Sequence, residues 1–281
     1  LVPTDRRDPT RTTTFGTGEL IRAALDRKVK RITLGIGGSA TCDGGCGAAQ
    51  ALGVRFFDVD DKEITTPING GTLAEIRRID TASCDPRLAP TSILVACDVT
   101  NPRTGLNGAA HVYGPQKGAT PKQVKQLDDH LKHLAGLWRP QLDINVANTP
   151  GSGAAGGLGA GLMAFFGATF QSGIELVLDL VRFDERVADC DLCFTGEGRL
   201  DGQSLAGKAC IAVARRARAH TVPTIALVGS VGNDVQRTID AGLHGYHVIG
   251  EGLSAEESLR RGPELLQQTA RRVVQTMARS H

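Results

Sequence analysis

The sequence has no run of about eighteen apolar residues and no leader with a charged start, an apolar stretch and a small-residue cleavage site. Neither a membrane span nor secretion is therefore expected. One-sided charge is also missing. The 32 Lys and Arg against 30 Asp and Glu leave a net charge of +2, which is too little for the basic field that binds nucleic acid. No internal repeat or low-complexity tract interrupts the chain. No Ser–His–Asp arrangement stands out, since Ser39 lies in Gly37-Gly-Ser-Ala-Thr41 and not in a G-x-S-x-G elbow. The 7 cysteines among 281 residues are an odd number in a long chain. That argues against a disulfide framework and for reduced thiols in a cytoplasm. Position 1 is Leu, not Met, as in a chain that begins inside a longer protein. Nothing in the pattern points to an oligomeric state.

Several motifs lack the context their chemistry needs. Gly202-Gln-Ser-Leu-Ala-Gly207-Lys208-Ala209 fits G-x-x-x-x-G-K but lacks the final Ser or Thr, and it begins well past the preceding strand. Gly151-Ser-Gly153-Ala-Ala-Gly156 fits G-x-G-x-x-G but follows Asn148-Thr-Pro150 where a strand should stand. Cys190-Asp-Leu-Cys193 enters a strand, whereas a redox pair should open a helix. A zinc site would need two further ligands, and His130 with His133 reads as a solvated pair on one helix face.

Glycine is what the chain has in excess: 35 residues of 281, against an average usage of about 7%. The glycines gather in a few loops, as expected where backbone cradles a ligand. The stretch from Asp191 to Lys208 shows the most chemistry. Leu192 to Phe194 reads as a strand ending at Thr195-Gly-Glu-Gly198, followed by Arg199, Asp201 and Lys208, with a helix from about Ser204. Ligands of open α/β sheets sit beyond the carboxyl ends of strands. A strand, a glycine loop, acids and bases together suit an anionic ligand with a metal. Two more strands end in an acid within a loop, at Asp43 and at Asp98. Magnesium typically takes one or two carboxylates plus substrate phosphates, and Lys117 and Lys208, each beside glycine, suit phosphate as point charges.

The expected elements are a helix from Glu19 to Arg27, strands at 31–36, 54–58 and 93–97, and a helix from Pro121 to Leu137 capped by Thr120. From Asp191 the chain alternates strand and helix, with strands at 191–195, 224–228 and 245–249 and a last helix at 256–279. That alternation implies parallel βαβ units. The expected fold is α/β in two domains: residues 1–187 mixed α/β with glycine-rich loops, and 188–281 a parallel-sheet domain with only three strands, few for a stable sheet.

Five stretches, in order, resemble the type I glycerate kinases of bacteria. They are Gly35-Ile-Gly-Gly-Ser-Ala-Thr-Cys-Asp-Gly-Gly45, Cys97-Asp-Val-Thr-Asn-Pro102, Gly114-Pro-Gln-Lys-Gly-Ala-Thr-Pro121, Gly153-Ala-Ala-Gly-Gly157 and Thr195-Gly-Glu-Gly-Arg-Leu-Asp-Gly-Gln203. The resemblance implies ATP-dependent phosphorylation of D-glycerate with Mg2+, a flavodoxin-like second domain, and a site in the cleft between domains. It also implies that an N-terminal segment of the family, which supplies strands to that second domain, is not in this sequence. Cys42, Cys46 and Cys210 stand where the family has Asn, Ala and Pro. Under this reading Asp201 or Asp43 is the base, Asp98 or Glu197 lies near the metal, and Lys208 and Arg199 face phosphate or the glycerate carboxylate. Gly37, Gly38, Ser39, Asn101, Lys117, Gly156 and Gly157 complete the substrate and nucleotide contacts. The alternatives are a kinase of a related hydroxy acid and a non-catalytic protein that binds a small acid or nucleotide.

Overall fold

The computed structural model describes residues 2–146, 149–205 and 209–278. The chain forms two compact units, residues 1–171 and 172–281. Helices Gly173–Leu180 and Phe183–Val187, which fall in the first half of the expected division, thus belong to the second unit. Arg216, on helix Ala209–Ala219, pairs with Glu175, Asp179 and Asp184 on those two helices, and Phe183 and Val187 pack against Ala217 and Val222.

In the first unit the strands are β1 (Arg31–Gly35), β2 (Arg55–Phe57), β3 (Arg78–Asp80), β4 (Ser92–Ala96) and β5 (Thr169–Gln171). The main sheet has the order β1-β4-β5, with all pairs parallel, while β2 and β3 form a separate antiparallel pair. Helices Phe15–Asp26 and Leu158–Phe166 cover the main sheet, burying Ile21, Leu25, Leu158 and Leu162 with Ile32, Ile93 and Val95. Helix Pro121–Leu142 starts as its sequence demands. The Thr120 hydroxyl accepts the Gln123 N–H, the Gln123 side chain accepts the Thr120 N–H, and Pro121 takes the first position. The helix runs past the expected end because Leu127, Leu131, Leu134 and Trp138 keep one face buried against Phe56 and Ile76.

In the second unit β6 (Cys193–Leu200), β7 (Thr224–Val231) and β8 (Gly245–Val248) form a parallel sheet in that order. Alternate residues of β7 face opposite layers. Ala226 and Val228 pack on Cys210, Ile211 and Ala214, while Ile225 and Leu227 pack toward Val273. Both faces are covered, as a parallel sheet requires.

Two expectations change here. The strand expected to stop at Thr195 continues to Leu200, because Glu197, Arg199 and Leu200 pair with Val228, Ser230 and Val231 of β7. Glycine permits this closeness: a Cβ on Gly229 would lie 2.7 Å from the Gly198 carbonyl oxygen. The last helix is two helices, Ala255–Arg260 and Gly262–Ala278. Among the described residues no helix is long and apolar enough to cross a membrane.

Candidate active site

The carboxyl ends of β1 and β4 open onto a cavity of about 330 Å³, lined by Gly35 to Ser39, Ala96 to Val99, Tyr113, Gln116, Lys117 and Ala154–Ala155. This is where ligands of parallel sheets bind. Gly38 has φ +71°, and a Cβ at Gly35, Gly37 or Gly38 would meet no atom within 4 Å. These glycines are therefore not required by packing within the chain. The space beside them is open, where a ligand can approach. Lys117 is 3% exposed, and its Nζ donates to the Thr41 carbonyl at 2.7 Å. Burial holds the Lys117 ammonium below its ordinary value, opposed by Cys42 and Asp43. Among the described residues Asp98, exposed on the rim, is the one acid lining this cavity. A larger cavity of about 940 Å³ lies around the start of β4, lined by Ser92, Ile93, Asp85 and Phe166. Among the described residues no cation lines it, and it sits at the wrong end of the strands for a ligand site.

The structure separates several expected site residues from this cavity. Asp43 is fully buried, and its carboxylate accepts hydrogen bonds from the Thr14 N–H and hydroxyl and from the Gly45 and Gly47 amides. Burial pushes the Asp43 carboxyl up, while those donors hold it down. It clamps the starts of helices Phe15–Asp26 and Cys46–Ala51 together and presents no face to a substrate. Gly156 and Gly157 are occupied by packing: a Cβ on Gly156 would sit 2.0 Å from the Thr41 carbonyl oxygen, and one on Gly157 3.0 Å from the Gly44 Cα. The side-chain amide of Asn101 accepts from Tyr113 Oη at 2.6 Å and donates to the Asn107 carbonyl at 2.9 Å, so it braces the loop after β4.

Sequence reasoning missed two residues near this loop. Tyr113 lines the cavity and holds Asn101. Arg103 is 2% exposed, with its guanidinium 4.4 Å above the Trp138 ring and with Nε and Nη1 lacking partners among the described residues. Burial lowers Arg103 to about 10. An exposed loop gives no sequence signal for a buried arginine.

In the second unit the end of β6 carries the other group. Arg199 Nε lies 3.2 Å from Asp201 Oδ2, and the Gln203 N–H reaches Asp201 Oδ1 at 2.9 Å. Ser204 Oγ donates to Glu197 Oε2 at 2.9 Å. The chain at the end of β7 lies close beneath: a Cβ on Gly232 would be 2.8 Å from the Asp201 Cβ and 2.9 Å from Arg199 Nη2. Glu197, Arg199 and Asp201 are thus brought together as the motif suggests, while Lys208 lies outside the described residues.

Among the described residues, no group of three or more His, Cys, Asp and Glu side chains is placed to hold a metal ion. Magnesium asks for less, because phosphate and water supply most of its oxygens. Asp98 lines the same cavity as Gly37, Gly38 and Lys117, and one carboxylate there fits that requirement. The two histidines are not a solvated pair: His130 Nδ1 meets the Gly70 carbonyl at 2.8 Å and His133 Nε2 the Ile76 carbonyl at 2.7 Å.

A model of the glycerate kinase family matches residues 1–278. A glycerate kinase of Halalkalibacterium halodurans is 47% identical over 276 residues, 97% of this chain and 72% of its own length. A glycerate 2-kinase of Escherichia coli K12 is 44% identical over 282 residues, 99% of this chain and 73% of its own length. The crystal structure of a protein assigned as glycerate kinase 2 from Salmonella typhimurium LT2 superposes with a TM-score of 0.83 at 44% identity, covering 99% of this chain and 72% of that one. The chain belongs to the glycerate kinase family.

Proposed function

We propose that this protein transfers the γ-phosphoryl group of ATP to a hydroxyl of D-glycerate. The observation that carries the reading is the 47% identity to a glycerate kinase along 97% of the chain, a span that includes both groups of site residues. Phosphoryl transfer asks mainly for positioning and charge stabilisation, and the residues are suited to that. The amides of Gly37 and Gly38, Ser39 and the buried Lys117 bind phosphate oxygens. Arg199 faces the glycerate carboxylate. Asp201 accepts the proton of the attacking hydroxyl as its oxygen bonds to the γ-phosphorus, the bond to the β–γ bridging oxygen breaks, and ADP leaves. Asp201 takes this role over Asp43 because it sits at a strand end with its side chain 16% exposed, whereas Asp43 is enclosed. Magnesium, held by Asp98 or Glu197 together with the nucleotide, would offset phosphate charge when bound. Lys208 keeps its proposed phosphate role from the motif alone.

The Escherichia coli relative is named a glycerate 2-kinase, so we place the phosphoryl group on the 2-hydroxyl. The buried thiols of Cys42, Cys46 and Cys210 suit a reducing cytoplasm. An ADP-release assay with D-glycerate, L-glycerate, glycolate and D-lactate tests the substrate. Turnover confined to D-glycerate is expected. Turnover with another acid alone would replace the substrate, and ATP binding without turnover on any of the four would leave a non-catalytic protein.

A further inference from the structure

Ser204 is buried with no exposure, in the short turn Gly202–Leu205 that follows β6. Its hydroxyl has one proton and spends it on Glu197 Oε2 at 2.9 Å. Ser204 Oγ itself accepts the Asp201 backbone N–H at 3.3 Å, and the Ser204 N–H returns to the Asp201 carbonyl at 2.9 Å. The Asp201 side chain is meanwhile fixed by Arg199 on one oxygen and by the Gln203 amide on the other. Glu197 and Arg199 stand two apart on β6, Asp201 is the first residue beyond the strand, and the turn brings Ser204 back to the Glu197 carboxylate.

We infer that Ser204 is a positioning residue that couples Glu197 to Asp201, so that the two acids act as one pre-set pair. The inference rests on the kinase reading above. The chemistry requires a group that both donates and accepts in a fully buried space. A hydroxyl does both, alanine does neither, and a thiol is a weak donor on a longer bond. Ser204 touches no reacting atom; it acts through the Glu197 carboxylate and the Asp201 backbone. Partners that orient a ligating or reacting carboxylate typically contribute ~10–100-fold to activity.

The test is steady-state kinetics on the purified protein with D-glycerate and magnesium ATP, using Ser204→Ala, Ser204→Cys, Glu197→Gln and the double variant Ser204→Ala/Glu197→Gln. Ser204→Ala should lower kcat by ~10–100-fold, with the KM for D-glycerate within about threefold of the parent. Ser204→Cys keeps the side-chain volume closely and should lose a comparable factor at an unchanged melting temperature. It carries the test if the alanine variant does not fold. The decisive reading is the double variant. With the carboxylate already replaced, removing the hydroxyl should cost less than about threefold, because interacting residues are non-additive. Parent-like kcat in the serine variants overturns the inference, and so does the same fold-loss in both backgrounds, since either leaves Ser204 a turn residue. An unmodified protein that does not turn over D-glycerate overturns the kinase reading itself, and the inference with it.

Discussion

At the scale of single residues, Asp201 and Asp43 divide the work of the acids: one stands at a strand end, and the other holds the chain. Asp201→Asn is isosteric, keeps an oxygen for the Gln203 amide and loses the ion pair to Arg199. If Asp201 takes the hydroxyl proton, kcat should fall by ~10²–10⁴-fold with a normal melt. If it only caps the turn, asparagine caps about as well, and activity should stay within a few-fold. Arg103 is the opposite case. Its stacking on Trp138 is worth roughly 0.5–2 kcal/mol, while each buried donor without a partner costs about 1–3 kcal/mol. With Nε and Nη1 both unpartnered, the cost wins. Arg103→Met should therefore be at least as stable as the parent in urea unfolding, and a loss above ~2 kcal/mol would mean that the guanidinium has a partner that offsets the cost. Sequence alone placed Asp201 and Asp43 on equal footing, because both are acids beside glycines after a strand. Only burial and the Thr14 contacts distinguish them.

At the scale of elements, strong local signals were legible and weak ones were not. The Thr120-Pro121 start and the periodic helix behind it are local, and both were readable. Strand β5, three residues at Thr169–Gln171, was not, because it is defined by its pairing with β4 and not by its own pattern. The end of β6 was misread for the same reason. Gly196 and Gly198 look like a loop, yet the ladder to β7 carries the strand through them. The helices around Arg216 yield a pH prediction. The Arg216 hydrogen bond holds the Asp184 carboxyl below its ordinary 3.8. A carboxyl depressed on folding contributes stability that is present above its unfolded value and is lost as pH falls through the folded one. The stability difference between the parent and Arg216→Gln should therefore be largest near neutral pH and shrink below about pH 4. Thermal melts from pH 7 to 3 check this, and a difference that does not change with pH would remove the ion pairs as the cause.

At the scale of the whole molecule, the α/β class and the order of the glycine loops were legible because both follow from alternation and motif. The division at residues 171 and 172 was not, because the contacts of helices Gly173–Leu180 and Phe183–Val187 with Arg216, Ala217 and Val222 are distant in sequence. The central claim is that this chain makes a phosphoglycerate from ATP. The measurement that tests it most directly is phosphorus NMR of the purified protein incubated with magnesium ATP and D-glycerate. Loss of the γ-phosphate resonance is expected in step with a new phosphomonoester signal that matches authentic 2-phosphoglycerate, with no inorganic phosphate ahead of it. ATP consumed to inorganic phosphate with no phosphoglycerate formed, or no ATP consumed at all, would contradict it.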